Sequence, residues 1–220
     1  IMIYLSYIGI ALFSYLLGSL NFGVILSNKL KKDDIRNYGS GNAGTTNMLR
    51  KYGKGYAFLT IMGDMLKVVA AIVIALKIIE YTPATLNELG MNVNFDRNMF
   101  IKSFAGFFCV LGHIFPCFFK FKGGKGVATA GGMVFVVDWR IALILLAVFI
   151  VVVAVSKYVS LGSIIMAVLY PVLMFAFHRS IALTIIAAVF TLIVVTAHRS
   201  NIKKLINHTE SKITDKKRKK

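Results

Sequence analysis

The sequence predicts an all-α membrane protein: a bundle of seven transmembrane helices, two of them short, with the N-terminus outside and the C-terminus in the cytoplasm. Three observations lead there. Apolar residues make up 57% of the 220-residue chain and charged residues only 16%, whereas a soluble domain is nearer half apolar and a quarter charged. The apolar residues fall in long blocks of roughly membrane-spanning length. The net charge of +17 is concentrated in alternate connections, as the cytoplasmic excess of Lys and Arg requires. The same composition excludes disorder, because so much apolar surface has to be buried. Two cysteines exclude a disulfide scaffold. A basic chain can bind nucleic acid, but no helical stretch here is both basic and soluble, so membrane lipid is the expected partner and nucleic acid is not.

The first block covers about residues 2–27. It lacks a cleavage-site pattern and is too long for the apolar region of a signal peptide, so it is expected to be retained as a span. Ile1 is not a normal initiator, and the chain is expected to start at Met2 or to be trimmed. The second and third blocks cover about 55–79 and 99–119. The region 127–155 is apolar except for Asp138, Trp139 and Arg140. One long helix would place two charges in hydrocarbon, which is costly. Two short helices turning at that tripeptide place the charges and the Trp at an interface, where Trp is favoured. Spans at about 160–177 and 181–197 complete the seven.

The connections test the count. Residues 28–54 hold Lys29, Lys31, Lys32, Arg36, Arg50, Lys51 and Lys54; Lys120, Lys122 and Lys125 follow, then Lys157, then nine basic residues from Arg199 to Lys220. The alternate connections hold only Arg97, Arg140 and Arg179, and the first of these also carries Glu80, Glu88 and Asp96. A six-span arrangement would place the basic tail on the other side. Seven spans keep every strongly basic connection in the cytoplasm.

Three polar clusters fall on that basic side. The first is Gly39-Ser40-Gly41-Asn42-Ala43-Gly44-Thr45-Thr46-Asn47-Met48-Leu49-Arg50. Gly39, Gly41 and Gly44 let backbone amides approach a ligand, Ser40, Asn42, Thr46 and Asn47 add hydrogen-bonding groups, and Arg50 supplies a planar fork suited to phosphate. Residues 39–44 also fit the dinucleotide pattern G-x-G-x-x-G, with Asp64 twenty residues on. The context fails, because no strand precedes the pattern and Asp64 lies inside an apolar block. The second cluster runs from Lys120 through Gly123, Gly124, Lys125 and Gly126 to Thr129 and precedes a helix start. It has the composition of a phosphate cradle. It is not a Walker A loop, since Phe119 stands where the first glycine belongs and Gly126 follows Lys125.

The third cluster holds His198, Asn201 and Leu205 on one face of a helix leaving the membrane, with Glu210 beyond. Amide-rich loops, cations and a neutral His on one side of the bilayer suit a substrate with one or two phosphates. Elsewhere, Asp64 and Lys67 are three apart and are expected to pair as structural support. His113 is expected to pack, and Gly18, Ser19, Asn21 and Gly23 to pack a helix closely or line a pocket. Cys109 and Cys117 are expected to stay reduced, and no metal site is expected.

The strings GSGNAGTTNMLR, KFKGGKGVATAGG and HRSNIKKL followed by Glu210 occur in this order, with YLLGSLNFG in the first block and GHIFP before the glycine loop. Together they closely resemble the bacterial acyl-phosphate:glycerol-3-phosphate acyltransferase family over nearly the whole chain. The resemblance implies transfer of a fatty acyl group from acyl phosphate to the 1-hydroxyl of sn-glycerol 3-phosphate, giving lysophosphatidic acid and inorganic phosphate, the first acylation of phospholipid synthesis. It implies a seven-helix bundle in the bacterial cytoplasmic membrane with its site facing the cytoplasm. Ser40, Arg50, Lys125, His198 and Asn201 match catalytic positions, the glycine loop around Lys125 matches a phosphate-binding motif, and Glu210 matches an acid tied to structural integrity. Three departures bear on local geometry: Thr45 stands where Ala is usual, Lys204 where Arg is usual, and Asn207-His208 replaces a glycine-containing turn.

On this reading residues 1–205 form one transmembrane catalytic domain and 206–220 a basic cytoplasmic tail, with no cofactor and a monomer as the expected state, an oligomer being the alternative. An acyl phosphate is already activated, so the enzyme mainly aligns an alcohol with a carbonyl and holds two phosphates together. Either His198 or a substrate phosphate serves as general base, the substrate-assisted route being the favoured one. A CoA-dependent acyltransferase is disfavoured, because none of the four His residues has Asp five positions on. The alternative from another class is a membrane transporter of phosphate or small organic anions. It would predict an internal repeat or several deep polar groups, and only Asp64 and Lys67 are deep and charged.

Overall fold

The computed structural model describes residues 2–81 and 96–215. Most of the acidic connection at 80–98, with Glu88, and the basic residues 216–220 lie outside the described residues. The described residues form ten α-helices and no strand. They divide between Val137 and Asp138 into two compact units.

The first unit holds α1 (Met2–Gly18), α2 (Phe22–Lys31), α3 (Thr45–Tyr52), α4 (Lys54–Glu80), α5 (Arg97–Ile114) and α6 (Val127–Val137). The first block, expected as one span, is one candidate span at Ile3–Lys31, built from two helices with a break at residues 19–21. The apolar pattern gives no warning of this; the cause is local and polar. Ser19 Oγ donates back to the Tyr15 carbonyl at 2.9 Å, and Asn21 Oδ1 accepts from Val24 N at 3.3 Å, capping α2. Gly18 allows α1 to press on α5: a β carbon there would sit 2.0 Å from the Cys109 carbonyl oxygen. The break also releases the carbonyls of Gly18 and Leu20 from the helical ladder. Within an apolar window of 18 residues in each of the three long stretches of this unit, 56% is buried in Arg97–Phe119, against 44% in Lys54–Glu80 and 39% in Ile3–Lys31. α5 is the most buried of the three, with α1, α4 and α6 packed against it, while α2 and α3 pack on α4.

The second unit holds α7 (Trp139–Ser156), α8 (Val159–His178), α9 (Ile181–Ala197) and α10 (Arg199–Ile206). The helix break expected at 138–140 is present, and Asp138 is its cause. Its carboxylate caps α7 by accepting from Arg140 N at 2.9 Å. It also accepts from the Arg140 guanidinium at 2.7 Å and lies 3.0 Å from His178 Nε2. The Arg140 guanidinium holds the Asp138 carboxyl down at about 2. α8 and α9 pack as an antiparallel pair, with Thr191 Oγ1 donating to the Ala167 carbonyl at 2.6 Å and the Tyr170 and Phe190 rings meeting edge to face.

Five stretches are long and apolar enough to cross a membrane: Ile3–Lys31, Lys54–Glu80, Arg97–Phe119, Trp139–Ser156 and Val159–His178. A sixth is the pair Ile181–Ala197 and Arg199–Ile206, bent by 61°. Val127–Val137 is apolar and shorter. The described residues are thus all-helical, with five to six long candidate spans. The expected bounds of the second, sixth and seventh spans agree with α4, α8 and α9 to within a residue or two.

Candidate active site

The first polar cluster folds as a loop whose own side chains hold it together. Residue 47 is the hub. Asn47 is 3% exposed. Its Nδ2 donates to the carbonyls of Ile35 at 3.0 Å, Tyr38 at 2.9 Å and Asn42 at 2.9 Å. Its Oδ1 accepts from Ser40 N at 3.4 Å. Gly39 must adopt φ +53°, and a β carbon there would sit 2.5 Å from Asn47 Oδ1. Asn42 Oδ1 accepts from Gly44 N at 3.0 Å, and Gly41 N donates to the Tyr38 carbonyl at 2.8 Å. Asn42 and Asn47, which the sequence offers as ligand groups, are engaged inside the loop. So are the amides of Ser40, Gly41 and Gly44. What the loop presents outward is the exposed Ser40 side chain, with Thr46 and Arg50 half-buried on α3. The Thr45 hydroxyl is buried and has no hydrogen-bond partner.

Outside the loop, Lys51 Nζ pairs with Asp33 and stacks over the Tyr38 ring, 3.8 Å from its centroid. Asp34 caps the turn at Ile35–Asn37, and the Arg36 guanidinium grips its carboxylate, with Nε at 3.0 Å and Nη2 at 2.7 Å. That grip holds the Asp34 carboxyl below the usual carboxylate range.

Arg36 also reaches the second cluster. Its Nη1 donates to the carbonyls of Phe119 at 2.8 Å and Lys122 at 3.0 Å. Between those carbonyls, Lys120 and Phe121 both take φ +57°, a conformation non-glycine residues adopt rarely. The Asp34–Arg36 pair therefore ties the first loop to the second. In the sequence Arg36 counts only as one basic residue of a cytoplasmic connection and Asp34 carries no functional mark; the D-x-R spacing is the local trace of the clamp.

The glycine loop differs from a simple cradle of open amides. Gly123 N donates to the Ile114 carbonyl at 3.2 Å and Gly124 N to the His113 carbonyl at 3.1 Å. These two amides satisfy the C-terminal carbonyls of α5 and are not turned to a ligand. The loop instead delivers Lys125 and Gly126 (φ +81°) to the start of α6, where the first helical amides point outward along the axis. Thr129, in the first turn of α6, is fully buried with its hydroxyl unpartnered.

Beneath this loop lies a cluster inside the helical bundle. Asp64 and Lys67 pair at 2.9 Å, as their spacing predicts, and His113 joins them. Its Nδ1 is 2.9 Å from Lys67 Nζ and 3.4 Å from Asp64 Oδ1.

In the second unit, the third cluster lies at the bend between α9 and α10. His198 is 1% exposed, and its Nδ1 is 2.8 Å from the Val194 carbonyl. A carbonyl only accepts, so Nδ1 carries the proton and Nε2 of the neutral ring is the basic nitrogen. Asn201 Nδ2 donates to Glu210 Oε1 at 2.7 Å, and Ser160 Oγ donates to the same oxygen at 2.8 Å. Glu210 thus fastens α10 to α8. The chain returns to Asn201 because His208 takes φ +54°, doing what a glycine does in such a turn, and His tolerates this region better than most. Asn201 Oδ1 stays buried with no partner.

A family model for glycerol-3-phosphate acyltransferases matches residues 8–208. A glycerol-3-phosphate acyltransferase of Ureaplasma urealyticum serovar 10 is 42% identical over 154 residues, 70% of this chain and 60% of that protein. One from Coxiella burnetii is 41% identical over 152 residues, 69% of this chain and 70% of that protein. The match thus spans about 60% of the length of the Ureaplasma relatives. Among solved structures, PlsY (YgiH), an integral membrane glycerol 3-phosphate acyltransferase, superposes in its glycerol 3-phosphate form with a TM-score of 0.80. It is 36% identical, with 94% of this chain and 95% of that chain covered. Its lysophosphatidic acid form gives 0.78 and 35%. The polar loops, the apolar helices and these matches agree: the chain belongs to the glycerol-3-phosphate acyltransferase family, and it is a multi-pass membrane protein.

Proposed function

We propose that the protein transfers a fatty acyl group from acyl phosphate to the 1-hydroxyl of sn-glycerol 3-phosphate, releasing lysophosphatidic acid and inorganic phosphate. The observation that carries this reading is the near-full-length likeness to an acyltransferase solved in glycerol 3-phosphate and lysophosphatidic acid forms. Those two molecules are the acceptor and the product of one acyl transfer.

In the proposed reaction the acceptor hydroxyl oxygen attacks the acyl carbonyl carbon. The new ester bond forms, the carbonyl–phosphate bond breaks, and the bonding pair leaves with phosphate. The hydroxyl proton passes to a substrate phosphate oxygen or to His198 Nε2. Lys125, Arg50, Ser40, Thr46 and the outward amides around Gly126 hold phosphate. Their charges and dipoles are fixed before the reaction, so they stabilise the developing charge without reorganising. His198 and Asn201 orient the glycerol phosphate. The unpartnered Asn201 Oδ1 supports that role, because a buried acceptor without a donor costs about 1–3 kcal/mol, and a substrate hydroxyl relieves it. Asn42, Asn47, Gly39, Gly41, Gly44, Gly123 and Gly124 serve the site by shaping its loops.

The five long spans, the bent α9–α10 pair and the short α6 make seven crossings. The N-terminus then lies outside and all three clusters open on the cytoplasmic face of the bacterial inner membrane. Residues 1–205 work as one catalytic domain, monomeric, and 206–220 as a basic tail held near anionic lipid.

Purified protein given glycerol 3-phosphate with either palmitoyl phosphate or palmitoyl-CoA tests the proposal. Lysophosphatidic acid is expected from the acyl phosphate. Product from the thioester alone would overturn the donor, and accumulation of phosphate in vesicles without any acyl transfer would support the transporter instead.

A further inference from the structure

The most deeply buried cluster of ionisable side chains among the described residues has no part in the transfer just proposed. Asp64 is 1%, Lys67 5% and His113 2% exposed, on helices otherwise long and apolar enough to cross a membrane. Charged groups are costly there unless paired, and they favour functional positions. We propose that Lys67, Asp64 and His113 form a positioning node that fixes the glycine loop, and with it Lys125, at the place where phosphate is held. The inference rests on the acyl-transfer reading above and assigns that site a supporting layer.

The geometry runs from the node to the loop in two steps. Lys67 Nζ has four neighbours at 2.9 Å: the carbonyls of Gly18 and Leu20 freed by the break after α1, Asp64 Oδ1, and His113 Nδ1. An ammonium has three protons for those four, so every acceptor is in demand and the nitrogen is held from all sides. The Asp64 carboxylate cancels its charge. With Nδ1 accepting from Lys67, the neutral His113 ring carries its proton on Nε2, at the opposite edge.

That edge meets the loop. A β carbon at residue 124 would lie 2.0 Å from His113 Nε2, so Gly124 is in contact with the ring as closely as a backbone allows. The backbone of the same histidine holds the loop too, since its carbonyl accepts from Gly124 N at 3.1 Å, and the next carbonyl accepts from Gly123 N at 3.2 Å. Lys125 is the following residue. A shift of the ring therefore moves Gly124 and Lys125 together, and a displacement of about 1 Å at a reacting centre can cost on the order of 100-fold in rate.

Two variants probe the two ends of the ring. His113→Asn keeps a polar atom near the Nδ1 position, beside Lys67, and vacates the space beside Gly124. His113→Gln reaches toward the Nε2 position. The expected result with palmitoyl phosphate and glycerol 3-phosphate is a KM for a phosphate-bearing substrate raised about 10- to 100-fold in His113→Asn, with partial rescue in His113→Gln. Hydrogen exchange of the 123–126 amides is expected to accelerate in His113→Asn while that of residues 39–44 does not. Gly124→Ala alone is expected to raise the same KM, and adding it to His113→Asn to change nothing further, because the space is already open. Unchanged KM and unchanged exchange in folded His113→Asn would overturn the proposal. So would a loss of stability with KM untouched, or fully additive effects of the two substitutions. If wild-type protein transfers no acyl group, the acyl-transfer reading fails, and the exchange experiment still decides whether the node holds the loop.

Discussion

Replacing Asn47 by Asp separates a loop-building residue from a ligand-binding one. The exchange keeps size and shape but removes both amide protons. Those protons are shared among the carbonyls of Ile35, Tyr38 and Asn42 at 2.9–3.0 Å, and a carboxylate would then face three acceptors in a buried site. Two lost hydrogen bonds cost about 1 kcal/mol each, and buried acceptors left unpaired about 1–3 kcal/mol more, so the loop should lose about 3–5 kcal/mol. That corresponds to protection of its amides falling by about 100- to 1000-fold or more, at about 1.4 kcal/mol per factor of ten. Hydrogen exchange followed by mass spectrometry on residues 35–44 measures it directly, with glycerol-3-phosphate kinetics alongside. The expected result is loss of protection over the loop together with loss of acyl transfer. A folded Asn47→Asp protein with wild-type protection and only a raised KM would refute the reasoning, because it would place Asn47 on the ligand.

Three further outcomes follow from the same geometry. Arg36→Lys keeps the charge but cannot span Asp34 and two carbonyls at once, so the Phe119 and Lys122 carbonyls should be released; faster exchange at 119–123 and a lower kcat/KM are expected, and unchanged values would remove the clamp. Glu210→Ala leaves the Asn201 amide and the Ser160 hydroxyl without their acceptor, for about 2–4 kcal/mol, which a lower melting temperature in detergent should report, whereas Glu210→Gln should recover most of it. The Asp34 carboxyl is held below its ordinary value chiefly by hydrogen bonds from Arg36. Its contribution to the loop is therefore complete above about pH 4 and lost as pH falls through its lowered folded value; the protection of the 34–38 amides relative to their intrinsic exchange rate at each pH, followed downward from pH 6, should stay flat until that range, and a transition near pH 6 would contradict the assignment.

The helices were legible because lipid-length apolar runs have few other uses. α4, α8 and α9 begin and end within a residue or two of the expected bounds, and the helix break at Asp138 follows from the cost of charge in hydrocarbon. The break at residues 19–21 was not legible: hydropathy continues through it, and it depends on one asparagine cap and a glycine lying against α5. The candidate site was legible as residue types but not as roles. Spacing cannot tell whether Asn47 faces a ligand or its own loop. Nor can it tell that the Gly123 and Gly124 amides close the end of α5, or that Arg36 reaches carbonyls more than eighty residues away. The buried Asp64–Lys67 pair was readable from an i, i+3 interval, whereas the third member, His113, comes from another helix and only packing brings it in.

Three polar stretches separated by long apolar helices can serve one pair of phosphorylated substrates only if they open on the same side of the bilayer. Single cysteines at Lys54, Lys122 and Lys203, each in a background with Cys109 and Cys117 replaced by Ala, can be labelled with a membrane-impermeant maleimide in sealed vesicles of known orientation. All three are expected to react from the cytoplasmic side and to be protected from the other. Labelling of position 203 from the side opposite to position 122 would contradict a shared site.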